Sequence, residues 1–201
     1  MKRKRKLVKT KPRATREKVA AAAVICFEKY GVSRTKMSDI AEQMGVARQT
    51  VYRMFETRFE LLEYIAAERV EVLADKLRNV VEKEETLRGA LARGLPLSIE
   101  LGRNDHLLTE IIQEGGDEHF KIFTFGGDPR VHKIMLDVYR EHIEEARAKD
   151  QLSTIATNEE IIDWLNMVGS ILNVRSDLGR KEHEAIIDRF VLNSLVKHEA
   201  P

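Results

Sequence analysis

The chain has 201 residues, enough for one large domain or two small ones with a buried core, and 43% apolar and 33% charged residues with only 11 Gly and 4 Pro favour packed helices over a turn-rich β protein. Its formal net charge of +1 hides a division: residues 1–58 hold 16 Lys/Arg against 5 Asp/Glu, and the remainder holds 18 against 28. That asymmetry points to a polyanionic partner for the first part only, and the lack of any apolar run near the roughly 20 residues that cross a bilayer excludes a spanning helix, so a soluble, cytoplasmic protein is expected.

The opening "MKRKRKLVKTKPR" carries 8 basic residues in 13 and is expected to be a disordered arm over 1–13, of the kind that reaches along phosphates or into a minor groove. From Thr15 the pattern turns helical: Val19, Ala23, Cys26, Phe27 and Tyr30 recur at three- and four-residue steps, and Gly31 stops the helix. Cys26, the single cysteine, lies on the apolar side and is a small core residue rather than a redox centre. Met37, Ile40, Ala41 and Met44 form a second short helix ending at Gly45, and a third is expected from about Val46 to Phe55. A long helix follows from Phe59 through Leu62, Ile65, Val72 and Leu77 to about Val81.

Beyond it, "TLRGALARGLPLSIELG" reads as a helix over 86–102, kinked where Gly94 and Pro96 interrupt the ladder. Asp105 caps a short helix ending near Gly115, and "HFKIFTFGG" fits a short helix or an extended segment equally well. Asp128 before Pro129 starts a helix to about Ala148; Thr157 with Glu160 makes a capping box for one to about Asp177, stopped by Gly179; the last runs from about Lys181 to Lys197. The expected fold is all-α, with about nine helices.

Residues 37–55 carry the functional signal. Ile40, Ala41, Met44, Val46, Val51 and Met54 are apolar or small where two short helices must pack in a helix-turn-helix, and Gly45 permits the positive φ of a tight turn. With Val46, Val51 and Phe55 inward, the other face presents Arg48, Gln49, Thr50, Tyr52 and Arg53. Arginine can pair with guanine through two bonds and glutamine with adenine, while threonine and tyrosine hydroxyls suit phosphates.

"TKMSDIAEQMGVARQTVYRMFETRFELL" resembles the DNA-binding signature of the TetR family of transcriptional repressors, with Thr50, Tyr52, Phe55, Leu61 and Leu62 matching its "TxYxxFxxKxxLL"-like ending. "FEKYGVSRT" resembles the end of that family's first helix and the turn after it; the close resemblance covers residues 15–65. Arg58 stands where the family usually has a lysine, and the resemblance implies a phosphate contact for it. Lys36 stands where a threonine or serine often caps the second helix, leaving the cap to Thr35 or to a shifted start. The DNA-contacting set implied is Lys36, Ser38, Arg48, Gln49, Thr50, Tyr52, Arg53 and Arg58.

The resemblance further implies three segments: the arm, a helix-turn-helix head over 14–58, and a helical effector-binding and dimerisation domain over 59–201. It implies a homodimer on a palindromic double-stranded DNA operator, with the last two helices forming a four-helix interface and a small-molecule effector releasing the repressor. Candidates for the dimer seam or the core are Ile161, Leu165, Val168, Ile171, Leu172, Ile186, Ile187, Phe190, Val191 and Leu195. His106, Phe120, Phe123, Met135, Tyr139, His142, Trp164, Met167 and Asn173 are candidates for lining an effector cavity, a lining suited to a largely apolar ligand with one or two polar groups. A DNA-binding dimer without an effector, and an activator, stay open as alternatives. No phosphate-binding glycine loop, G-x-S-x-G or H-E-x-x-H occurs, so neither an enzyme nor a cofactor or metal site is expected; "HIEEA" offers two potential ligands, His142 and Glu145, but no site.

Overall fold

The computed structural model describes residues 14–114, 116 and 129–197, and the arm, "HFKIFTFGG", Phe120 and Phe123 lie outside that range. Two compact units divide the chain, residues 1–61 and 62–201. Among the described residues there are nine helices and no strand, only one isolated bridge between Leu152 and Val196.

The first unit holds α1 (Arg16–Tyr30), α2 (Met37–Met44), α3 (Arg48–Tyr52) and the start of α4 (Arg58–Val81). Thr15 caps α1 by accepting from Lys18 N–H, and Gly31, at φ 83°, ends it. Val19, Ala23, Cys26, Phe27, Val32, Ile40, Ala41, Val51, Phe55 and Leu61 are buried as the helical spacing suggests, whereas Tyr30, which shares the spacing of α1, is 41% exposed. α3 is shorter than the spacing suggests, and the turn before it is the reason. Gly45 adopts the left-handed conformation (φ 64°, ψ 34°) and Val46 N–H returns to Ala41 O at 3.0 Å, so Val46 closes the end of α2 instead of opening α3.

The second unit begins within α4 and continues as α5 (Leu87–Asn104), α6 (His106–Glu114), α7 (Pro129–Ala148) and α8 (Asn158–Val174). The last helix, α9, spans Arg180–Ile186, passes through a π-helical stretch Ile187–Leu192 and ends in one turn, Asn193–Leu195. α5 packs against α7, α8 and α9, around a core that includes Leu77, Leu91, Ile99, Ile143, Ile161, Leu165 and Val191. α5 runs on through Pro96; the carbonyl that loses its donor belongs to Ala92, which is exposed to water. Thr157 and Glu160 form the expected capping box.

Two helix ends differ from the sequence expectation, each for a tertiary reason. α8 stops at Val174, short of Asp177, because the Arg103 guanidinium reaches across from α5 and donates to the carbonyls of Leu172, Asn173, Arg175 and Leu178. Leu172 and Asn173 belong to the last turn, whose carbonyls have no partner further along the helix, and Arg175 and Leu178 to the segment just past it. α9 gives way at Val196 because Ser153 N–H bonds to Leu195 O and Lys197 N–H to Gln151 O, drawing the end into extended backbone.

Among the described glycines of this unit, Gly94 has the least room for a Cβ. A Cβ there would run into the Tyr139 hydroxyl and lie 3.0 Å from Val81 Cγ2, and Tyr139 is itself 1% exposed, with no room to retreat. Gly94→Ala is therefore expected to destabilise the protein by ~1–3 kcal/mol despite its gain in helix propensity. Chemical denaturation with unchanged helix content in the native baseline would measure it.

Candidate nucleic-acid interface

α3 is five residues long, too short to hold itself together in water, so its neighbours must anchor it. Val51 and Phe55 do this at 0% exposure, with Phe55 N–H bonded to Val51 O just past the helix end. Burying that edge turns the opposite one outward: Arg48, Gln49, Tyr52 and Arg53 are exposed and Thr50 is half-buried. Two guanidiniums, an amide and a phenol thus share one surface.

The supports around Phe55 are ionic as well as apolar. The Arg16 guanidinium lies 4.2 Å from the centre of the Phe55 ring and pairs with Glu60 Oε1 at 2.7 Å. Glu60 also accepts from Glu56 N–H, while Thr57 Oγ1 accepts from Glu60 N–H at 3.0 Å. Burial pushes the Glu60 carboxyl up, and the Arg16 and Glu56 hydrogen bonds outweigh it to hold the group below its ordinary pKa. Thr57 thus caps α4 and the Glu60 carboxylate reaches back to the N–H of the residue before it, a cap that the T-x-x-E spacing makes readable. The Arg16–Phe55 contact has no such local signal.

Thr35 does not cap α2. It is buried, and its hydroxyl donates to Gly31 O at 2.9 Å and Cys26 O at 3.3 Å, tying down the end of α1. Lys36 occupies the cap position, its backbone N–H bonded to Asp39 Oδ2 at 2.8 Å, which leaves the ammonium group on an exposed side chain. Ser38, half-buried on the first turn of α2, bonds to Asp39 Oδ1. Arg58 opens α4, and its guanidinium donates to Val32 O at 2.6 Å and Thr35 O at 3.3 Å. Its evident work within the head is therefore to clamp the α1–α2 turn onto the start of α4.

The cavity candidates separate. Met135 and Asn173 line a groove in the second unit. Tyr139 is in the core, and burial raises its phenol pKa far above the ordinary value. His142 Nε2 lies 2.9 Å from Glu84 O, Trp164 is 41% exposed, Met167 is half-buried, and His106 is exposed.

Residues 19–65 match the family described as bacterial regulatory proteins, tetR family, and this stretch contains all of α2, α3 and the buried anchors of the turn. That segment is similar to the helix-turn-helix head of the TetR family. A probable HTH-type transcriptional regulator, ArpR of Pseudomonas putida, is 34% identical over 79 residues, covering 39% of this chain and 37% of that relative's length. The fold is similar to that of AlkX, a TetR family repressor from Dietzia sp. (TM-score 0.65, 18% identity, 92% of this chain and 98% of that one). It is also similar to that of Thermus thermophilus FadR in complex with lauroyl-CoA (TM-score 0.66, 16% identity, 92% and 97%).

Because Arg58 spans two carbonyl acceptors, Arg58→Ala is expected to destabilise the head by ~2 kcal/mol in the absence of DNA, and Arg58→Lys to recover only part of that, since an ammonium lacks the planar fork. Thermal denaturation of both variants reads this, and an unchanged midpoint for Arg58→Ala would show that the clamp contributes nothing.

Proposed function

We propose that this chain is a transcriptional regulator of the TetR family that binds a palindromic double-stranded DNA operator as a homodimer, and that it is a repressor released by a small-molecule effector. The observation that carries the reading is the division of α3: Val51 and Phe55 fully buried, Arg48, Gln49, Tyr52 and Arg53 exposed beside them. Arg48 and Gln49 are suited to base edges in the major groove; Thr50, Tyr52, Arg53, Lys36 and Ser38 are suited to phosphates, and Arg58 adds positive charge at the base of α4. The basic excess of residues 1–58 favours DNA as partner, and no described helix is long and apolar enough to cross a membrane, in keeping with a cytoplasmic regulator that acts by binding rather than by catalysis. That FadR of Thermus thermophilus is a repressor crystallised with lauroyl-CoA supports an effector site in the second unit.

A second copy of the chain is the partner that suits α8 and α9. Of the ten candidates for the seam, Ile161, Leu165, Leu172, Ile187, Val191 and Leu195 are buried within one chain, whereas Ile171 is 47% and Phe190 63% exposed. Trp164 and Val174 extend this exposed apolar surface along α8. A self-complementary contact would remove it from water.

DNA selected in vitro from a random pool, followed by fluorescence anisotropy, tests the DNA reading. Arg48→Ala and Gln49→Ala should each relax preference at particular base pairs by ~1–3 kcal/mol, and Arg53→Ala should weaken all sequences and lower the salt slope by about one. Unchanged affinity after altering Arg48 and Tyr52 together would show that α3 is not the reader.

For the dimer, light scattering should give twice the chain mass. Phe190→Asp should shift it to monomer with helix content kept and operator affinity lowered at least about tenfold, because one head alone reads too few base pairs.

A further inference from the structure

Within the second unit, α4, α5, α6, α7 and α8 enclose an open-sided groove of about 170 Å³. Its walls are aliphatic, with Val70, Leu77, Leu95, Ile99, Met135 and Leu165 among them, and none of the described residues lining it is charged. Apart from Ser98 on α5, whose hydroxyl donates to Leu95 O, its polar side chains lie on one strip of α8, where Asn166, Gly169, Ser170 and Asn173 recur at three- and four-residue steps. Asn166 Nδ2 and Asn173 Oδ1 are shut off from water and have no hydrogen-bond partner. One is an unmet donor and the other an unmet acceptor. Beside them a Cβ built on Gly169 meets no atom within 4 Å, so the strip faces open space.

Leucine at either asparagine would complete an ordinary apolar wall, and the amides instead carry the cost of buried, unpaired polar atoms. The torsion that aims a terminal amide is soft, so a partial turn presents each group to the groove. We propose that this groove binds an uncharged, mainly aliphatic molecule whose polar group pairs with one of the two asparagines, which stand two helical turns, about 10 Å, apart: an acceptor for Asn166 or a donor for Asn173, as a neutral amide or hydroxylated alkyl compound supplies. A carboxylate or ammonium would lose its hydration with no countercharge on the described walls. A plain hydrocarbon would leave both amide atoms unmet. The volume is close to the ~150 Å³ of a cavity that holds benzene, so a longer chain leaves through the open side. This inference rests on the reading of the second unit as an effector domain and names the chemistry of that effector.

The test uses the full chain and straight-chain primary amides from butanamide to decanamide, each with its matched carboxylate and alkane, at neutral pH. At least one amide should raise the Tm in a concentration-dependent way, by more than its carboxylate and its alkane do. Asn166→Leu and Asn173→Leu should each raise the Tm of the free protein, and one of the two should lose the amide response; Gly169→Leu, filling the open space, should lose the response with the helical circular dichroism unchanged. Carboxylates stabilising as strongly as amides would overturn the inference. So would a series with no Tm response, or leucine variants that lower the free Tm and keep the amide shift. Operator binding separates the two readings: an amide that raises the Tm and leaves operator affinity unchanged keeps the groove assignment and removes effector release, whereas intact operator binding without any amide response removes the groove assignment alone.

Discussion

The burial of Phe55 is the constraint on which the exposed face of α3 depends. Five residues of helix form no stable unit in isolation, so the orientation of α3 is fixed by what holds its edge down. Val51 and Phe55 supply that hold, and Arg16, stacked on the Phe55 ring and paired with Glu60, links α1, the end of α3 and the first turn of α4 through one guanidinium. Arg58 adds the fourth contact by holding the carbonyls of Val32 and Thr35. The exposed residues of α3 are available because none of them has to stabilise the helix that carries them.

α8 distributes three duties around one cylinder. Ile161, Ile162, Leu165 and Leu172 face the core, Asn166, Gly169, Ser170 and Asn173 face the groove, and Trp164, Ile171 and Val174 are exposed. Arg103 fixes where the helix ends, so the groove strip and the exposed strip keep their register relative to α5. A ligand that moved α8 would act on the groove and on the exposed face together, since both belong to the same rigid element.

Much of the head was legible in sequence because its determinants are local. Gly45, the three- and four-residue spacing of Ile40, Ala41 and Val51, and the stop at Gly31 lie within a few residues of what they determine. The T-x-x-E cap at Thr57 is equally local. The differences lie where a particular hydrogen bond, and not the apolar spacing, decides: Val46 reads as the start of a helix but its N–H closes the previous one on Ala41, Thr35 reads as a cap but its hydroxyl donates to Gly31 O, and α8 ends early because of an arginine some seventy residues away. In the second unit the apolar spacing locates helices but cannot say which stripe meets core, groove or solvent. Tyr139 and Met135, four residues apart on α7, make the point: one is sealed against Gly94 and the other borders the groove.

The groove also sets what regulation through it would require. A buried amide atom without a partner costs ~1–3 kcal/mol, so a ligand that pairs with Asn166 or Asn173 would gain a contribution of that size. That gain alone changes no DNA affinity: a ligand that binds two conformations equally shifts neither. Each tenfold change in operator affinity needs about 1.4 kcal/mol of difference between the ligand's binding to the competent and incompetent forms, and pairing a single amide in one form only is of that size. The asparagines are therefore the part of the groove able to convert occupancy into regulation, because aliphatic contacts tolerate small displacements of α8 and hydrogen-bond geometry does not.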